Sequence, residues 1–200
     1  MNKELKLFSI SRRRKPSYQK GSAHKVFENK LKQDFVSDAA NRKWCTDFTY
    51  LSLANGKKYY NCAILDLYDR SIVASCMGSH ITTQLAIETL KKAIQSHPGI
   101  DTRKLLLHSD QGSQYTSKEF VSFCESIGIT QSMSRAGCPY DNAPMERYFN
   151  TLKNDLFYHH HYHTKETLYT AIEKFAYVHY NHVRPHAYND YKTPYEARYQ

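Results

Sequence analysis

The chain has 200 residues, 40% of them hydrophobic and 24% charged, with only 7 Gly and 6 Pro. This composition excludes collagen-like, low-complexity and wholly disordered proteins, and no apolar run approaches the roughly 18 residues of a membrane helix. Lys and Arg outnumber Asp and Glu by 28 to 19, a net charge of +9. That charge favours nucleic acid as a partner, although a basic protein without a specific partner fits it equally well. We expect a soluble protein of the cytoplasm, associated with the nucleoid.

The predicted elements follow the order β-β-β-α-β-α-β-α, with a further helix near the C-terminal end. Residues 1–40 are basic and weakly patterned, which is typical of an arm. A core is expected over 41–160, and a C-terminal helix and tail over 161–200. The hydrophobic periods and turn signals predict strands over 44–53, 58–65, 71–77, 104–108 and 129–133, and helices over 82–97, 116–128, 141–157 and 165–181. A meander that continues into alternating strands and helices predicts an α/β fold with a mixed five-stranded sheet and helices on both faces.

Three carboxylates stand at unusual places in this pattern. Asp47 lies inside the first strand, where Asp is disfavoured, and Asp110 directly follows the fourth strand, where open α/β sheets place ligand sites. Glu146 lies near the start of the long helix, and 35 residues separate it from Asp110. If the first and fourth strands are neighbours, the two Asp side chains converge. Clustered carboxylates suit Mg²⁺ or Mn²⁺, and two such ions about 4 Å apart support phosphoryl transfer.

Four sequence blocks resemble one known family. They are WCTDFTYL, HSDQGSQYTS, SMSRAGCPYDNAPMERYFNTLK and, towards the C-terminus, YNHVRPHAYNDYKTPYEA. In this order, and with 35 residues between Asp110 and Glu146, the blocks closely resemble insertion-sequence transposases of the two-reading-frame (OrfB) type. The catalytic core of that family resembles retroviral integrases. The resemblance covers about residues 27–199, although Cys138 stands where the family commonly has Asn.

The resemblance implies an RNase H-like fold in which Asp47, Asp110 and Glu146 form a catalytic triad that binds Mg²⁺ or Mn²⁺, with two ions expected. Lys153 matches the basic residue seven positions after the Glu, two helical turns along the same face. A solvated helix Lys is the alternative.

Further residues around the triad are expected to support it or to contact DNA. Gln111 and His108 are candidates to support the site, but His108 is equally well explained as a hydrogen-bonded strand-end residue. Asn142 is expected either to orient Glu146 or to cap the helix. The candidate DNA contacts are Gln114, Arg147, Lys153 and the arm residues Arg12, Arg13, Arg14 and Lys15.

The expected activity is that of a polynucleotidyl transferase which cleaves DNA at the ends of a mobile element and transfers the strand to a target. Expected partners are the element ends, target DNA and further copies of the chain. An upstream-frame protein that supplies a helix-turn-helix is also expected, because only a basic segment of about forty residues precedes the core. Two alternatives stay open. One is an RNase H-like nuclease that cleaves without joining, and the other is a catalytically inactive DNA-binding fragment that regulates a full transposase.

The remaining polar clusters have simpler readings. Five Cys without a C-x-x-C pair argue against a disulfide framework and a zinc site. The histidines at 159, 160, 161 and 163 either form a metal site or an exposed cationic patch that faces DNA, and we favour the patch. Solvated turn or capping positions are expected for Asp66, Asp69 and Asp141.

Overall fold

Five strands form one mixed sheet in the computed structural model, which describes residues 23–200. The order across the sheet is β3-β2-β1-β4-β5. The first three strands pair antiparallel, whereas β1 pairs with β4, and β4 with β5, in parallel. The predicted mixed five-stranded sheet is confirmed. The strands are β1 (Lys43–Ser52), β2 (Lys58–Asp66), β3 (Ile72–Gly78), β4 (Leu106–Ser109) and β5 (Thr130–Met133).

Within residues 23–200, five α-helices flank the sheet, and a Ser or Thr hydroxyl caps the N-terminus of four of them. Thr82, Ser117, Thr164 and Thr193 each accept a hydrogen bond from a backbone N–H of the first turn. The helix expected over 165–181 changes to π-helical winding at Lys174 and ends at Val183. No helix within residues 23–200 has the length and apolar character needed to cross a membrane. The helices are α1 (Thr83–Gln95), α2 (Lys118–Ser126), α3 (Ala143–Asp155), α4 (Lys165–Glu173) and α5 (Pro194–Tyr199).

The sheet has a hydrophobic core on each face, because successive strand residues point to opposite sides. In β1, Trp44 joins the core that contains α1 and α2, and its neighbour Cys45 joins the core that contains α3 and α4. In β2, Ile64 points to the first core while Ala63 and Leu65 point to the second. Helices are thus held on both faces, and β1 lies at the centre of the sheet.

A segment ahead of β1, residues 24–33, packs along the open edge of β5, and we call it the edge segment. The Ser132 hydroxyl accepts hydrogen bonds from the backbone N–H groups of Lys30 and Leu31, at 2.9 and 3.1 Å. Met133 N donates to Glu28 O at 3.4 Å, and Leu31 is only 2% exposed. This part of the predicted arm is packed because an edge strand leaves backbone groups that need partners. The basic run Arg12–Lys15 lies outside the described residues.

A buried ion-pair cluster joins the C-terminal helix to the turn between β2 and β3. Arg198 of α5 donates from Nη2 to Asp66 at 2.6 Å and from Nε to Asp69. Both carboxylates are 0% exposed. The expectation that Asp66 and Asp69 are solvated is therefore wrong, since an arginine 132 and 129 positions away covers them.

Replacing Arg198 by Met should lower the free energy of unfolding by about 3–5 kcal/mol, because it leaves two buried carboxylates without a counter-charge. Urea denaturation at pH 7 measures this loss. The control is Arg103→Met, since Arg103 pairs with Asp101 but its side chain is 82% exposed, and this variant should match the wild type. Equal stability of the two variants would contradict the assignment.

Candidate active site

The parallel pairing of β1 with β4 brings Asp47 and Asp110 together. Cys45 is the register partner of His108, and each aspartate lies two residues further along the chain, Asp47 inside β1 and Asp110 just after the end of β4. Asp47 Oδ1 accepts a hydrogen bond from Phe48 N at 2.7 Å. Asp110 Oδ1 accepts one from Gly112 N at 2.9 Å. Both side chains are partly buried, so the sheet itself fixes this pair.

Glu146 lies in the first turn of α3 and lines the same open cleft, of about 760 Å³, as the two aspartates. Asn142, just ahead of α3, donates from Nδ2 to the carbonyl of Thr46 at 3.2 Å. Because Thr46 precedes Asp47, this bond ties the start of α3 to the strand that carries the first aspartate. As the side chains stand, no three Asp, Glu, His or Cys residues within 23–200 are close enough to hold one metal ion. Glu146 therefore shares the cleft without closing on the pair.

The two aspartates resist ionisation where they lie. Burial raises the pKa of Asp47 to about 7, and the negative charges of Asp110 and Glu146 add to the effect. Burial also raises the pKa of Asp110, against the hydrogen bond from Gly112. Neighbouring carboxylates that lose hydration and repel each other are stabilised by a cation between them, so the electrostatics of the cleft favour positive charge.

Tight packing supports the loop that follows Asp110. A Cβ added at Gly112 would crowd the Gln114 side chain and lie 2.9 Å from Asp110 Oδ1, so a larger residue would displace the side chains that line the cleft here. Tyr115 is 0% exposed, and its hydroxyl lies 3.1 Å from Thr46 Oγ1. The loop is thereby fixed against the strand that carries Asp47.

Gln111, predicted to support the site, and Gln114, predicted to contact DNA, both line the cleft, whereas His108 does not. Gln111 donates from Nε2 to Ser134 O at 3.0 Å, and Gln114 forms part of the wall. His108 is buried away from the cleft, with its ring nitrogens 2.9 Å from Ser132 Oγ and 3.0 Å from Ser134 Oγ. Burial lowers its pKa to about 4. Of the two readings of His108, these contacts favour the hydrogen-bonded strand-end residue.

The two predicted basic residues of α3 lie outside the cleft. Lys153 is partly buried, with its ammonium 5.0 Å from the centre of the Tyr50 ring, and burial lowers its pKa. Arg147 is exposed, and its charge acts on Tyr180 and His186 of the C-terminal part. A DNA role for either residue therefore concerns the surface around the cleft.

The histidine run and the cysteines carry no metal site in the described part of the chain. His159, His160, His161 and His163 are exposed, which agrees with the favoured reading of a surface patch. The five cysteines are free thiols, as the absence of a paired pattern predicts.

Two residues at the cleft were missed by sequence reasoning. Arg135 lines the cleft, and Asp141, expected to be solvated, is 0% exposed. Asp141 accepts hydrogen bonds from Arg135 Nε at 3.1 Å, Asn29 Nδ2 at 2.9 Å and Gln33 Nε2 at 2.7 Å. Two of these donors lie more than 100 positions earlier, in or at the end of the edge segment, so no local pattern announces the contact.

A mixed five-stranded sheet flanked by helices, with Asp47 inside its central strand, Asp110 just after the parallel neighbour β4 and Glu146 in the first turn of α3, is the architecture of an RNase H-like core. Two models of the family described as "Integrase core domain" match residues 37–139 and 127–194. The first alone spans about half of the chain.

Similar proteins agree with this class. The transposase for insertion sequence element IS904 of Lactococcus lactis subsp. lactis is 36% identical over 92% of this chain and 72% of its own length. Transposase InsF for insertion sequence IS3A of Escherichia coli is 32% identical over 82% of this chain and 56% of its own length.

Solved structures support the same fold. The integrase catalytic core domain of HTLV-2, solved with magnesium, aligns with a TM-score of 0.60 at 20% identity, over 81% of this chain and 99% of that one. A chain of the simian T-cell lymphotropic virus intasome gives 0.65 at 20% identity, over 93% and 61%. The chain belongs to the insertion-sequence transposases with an integrase core domain, which confirms the family and the transposition function inferred from the sequence blocks.

The raised pKa of Asp47 predicts a pH-dependent effect of Asp47→Asn on stability in EDTA. Below about pH 4 the carboxyl is protonated in both folded and unfolded states and costs nothing. Between pH 4 and 7 the unfolded state ionises first, so the folded state loses stability as the pH rises. Asp47→Asn should therefore raise Tm most at pH 8, and the gain should shrink towards pH 5.

Thermal unfolding at both pH values measures the effect. Asp38→Asn serves as the control because Asp38 is exposed, and it should leave Tm unchanged at either pH. An Asp47→Asn gain that is equal at pH 5 and pH 8 would argue against the raised pKa.

Proposed function

We propose that this chain hydrolyses a phosphodiester at the end of a mobile element and directs the freed 3′-hydroxyl at a second phosphodiester. The observation that carries the proposal is the shared cleft of Asp47, Asp110 and Glu146. Burial raises the pKa of both aspartates there, and the charges of the other two carboxylates raise that of Asp47 further. Unpaired carboxylates with raised pKa values in an open cleft are typical of catalytic sites.

Asp47, Asp110 and Glu146 would hold the divalent ions, with two Mg²⁺ or Mn²⁺ proposed. Their hard carboxylate oxygens suit these cations. Asn142 Oδ1, at the cleft wall, is buried without a hydrogen-bond partner among residues 23–200 and offers one more oxygen acceptor. Ions bound there would activate the attacking water or hydroxyl and stabilise the leaving oxygen. Glu146 is exposed at the start of its helix, so a side-chain rotation is the change by which it would join the two aspartates.

DNA is the proposed substrate, and the positive charge of the chain would attract it. Gln114 at the cleft wall would contact the strand, while Arg147 and Lys153 would meet phosphates beside the cleft. The Arg12–Lys15 run would add affinity without sequence information, because lysine and arginine contacts to phosphate carry none.

Recognition of the element ends is proposed to need further protein chains assembled on the DNA. The chain spans 72% of the IS904 transposase and 56% of InsF, so both relatives have residues outside the match. We propose that further copies of the chain assemble on DNA, and that an upstream-frame protein with a helix-turn-helix reads the element ends.

Asp47→Asn, Asp110→Asn and Glu146→Gln should each reduce cleavage and joining at least about 100-fold, while DNA affinity stays equal or rises because negative charge is removed. Labelled duplexes that carry the DNA flanking the gene, incubated with Mn²⁺, report both steps on one gel. Asp155→Asn on the same helix is the control, because its carboxylate pairs with Arg184 at a partly exposed site away from the cleft.

Residual activity above a few per cent in any triad variant would disprove the triad. Cleavage without joining by the wild type would favour the nuclease, and DNA binding alone would favour the regulatory fragment.

Metal binding should also be visible without activity. At pH 8, Mg²⁺ or Mn²⁺ should raise the Tm of the wild type in proportion to the logarithm of its concentration above Kd, and Asp110→Asn should remove the shift. After EDTA treatment, Mg²⁺ or Mn²⁺ should restore cleavage without zinc. Restoration by zinc alone would move the metal site to the exposed histidines at 159–163.

A further inference from the structure

Arg135 stands where the active-site cleft meets a second cleft. The second cleft, of about 630 Å³, runs along the edge segment and contains Lys32. Gln111, Ser134 and Arg135 line both clefts, so the two form a continuous path along the protein surface. The Arg135 side chain is 65% exposed and is therefore accessible to anything bound along that path.

Asp141 holds the Arg135 guanidinium in one orientation. Nε donates to Asp141 Oδ2 at 3.1 Å and Nη2 donates to Oδ1 at 3.2 Å, a two-pronged pair. Asp141 is itself fixed, because Asn29, Gln33 and the Arg135 backbone N–H also donate to it. A guanidinium has five N–H donors, so three remain for a second anion.

The Arg135 guanidinium is the basic group among the acidic side chains of the active-site cleft. Among the described residues of the wall, Asp47, Asp110 and Glu146 are negative and Arg135 alone carries a positive side chain. A DNA strand that enters the cleft brings further negative charge. A rigidly held arginine beside three carboxylates offers that strand a phosphate contact whose side-chain ordering cost is already met by Asp141.

We propose that Arg135 binds a backbone phosphate adjacent to the scissile one, that Asp141 acts as its positioning residue, and that the substrate strand leaves the active site through the second cleft. The assignment rests on the proposed function, since it takes DNA as the substrate. Its alternative is a purely structural role, in which the Arg135–Asp141 pair only fastens the loop after β5.

Salt-dependent DNA binding separates the two roles. Fluorescence anisotropy of a labelled 30-bp duplex is measured with the full chain in EDTA between 50 and 300 mM NaCl. Each phosphate contact contributes roughly −0.9 to the slope of log K against log salt. Arg135→Gln should reduce the slope by about that amount and weaken binding roughly fivefold at 0.15 M salt.

Two further variants control for charge and for fold. Arg103→Gln removes the same charge from an arginine that also pairs with an aspartate but lies outside both clefts, so its slope should equal that of the wild type. Arg135→Lys keeps the charge but loses the fork, so it should keep the slope while its KM for cleavage rises and its kcat changes less. Asp141 retains Asn29, Gln33 and a backbone donor in both Arg135 variants, which should therefore stay folded.

A second measurement locates the contact independently of stability. Duplexes with a single neutral methylphosphonate should bind the wild type more weakly when the substitution is next to the cleavage site, and Arg135→Gln should be insensitive at that position. If Arg135→Gln and Arg103→Gln give the same slope, or if both proteins sense the methylphosphonate equally, the phosphate contact is wrong while DNA binding by the wild type stands. If the wild type shows no salt-dependent binding at all, the proposed function fails together with the inference.

Discussion

Two partly buried carboxylates, Asp47 inside β1 and Asp110 just after β4, lie close together, and this arrangement is unfavourable in the absence of a cation. Burial and repulsion raise the pKa of Asp47 to about 7, so the native fold at neutral pH carries an electrostatic cost that its packing must offset. The parallel register, the Gly112 hydrogen bond to Asp110 and the Asn142 bond to Thr46 keep the pair in place. The cost is also what gives the cleft its affinity for positive charge, since a bound cation relieves it.

The other buried carboxylates of the described chain form ion pairs with arginine, and this pair differs from them. Asp66 and Asp69 share the guanidinium of Arg198, and Asp141 is covered by Arg135 and two amides. Within residues 23–200, neither Asp47 nor Asp110 forms an ion pair with a basic side chain. The buried carboxylates Asp66, Asp69 and Asp141 are each paired with an arginine, whereas the uncompensated pair fits the metal site proposed above.

The sequence predicts what depends on short stretches of chain and misses what depends on distant partners. Strand alternation predicts the five-stranded sheet, and the family blocks single out Asp47, Asp110 and Glu146, which the structure places in one cleft. The burial of Asp66 rests on an arginine 132 positions later, and that of Asp141 on amides more than 100 positions earlier. Neither pairing produces a periodic pattern in the sequence from which it could be predicted. The packing of the edge segment was missed for the same reason, because it answers an unpaired strand edge that exists only in the assembled sheet.

The edge segment and the start of α3 are held by the same group, the carboxylate of Asp141. Asn29 and Gln33 donate to Asp141, which lies five residues before Glu146 and next to Asn142, the residue bound to β1. Within residues 23–200, Glu146 shares the cleft with the aspartates without completing a three-ligand group. The side-chain rotation proposed to bring it to them starts from a helix end that the hydrogen bonds of Asp141 and Asn142 hold in place. The edge segment and β1 therefore both set the position from which Glu146 would reach the pair.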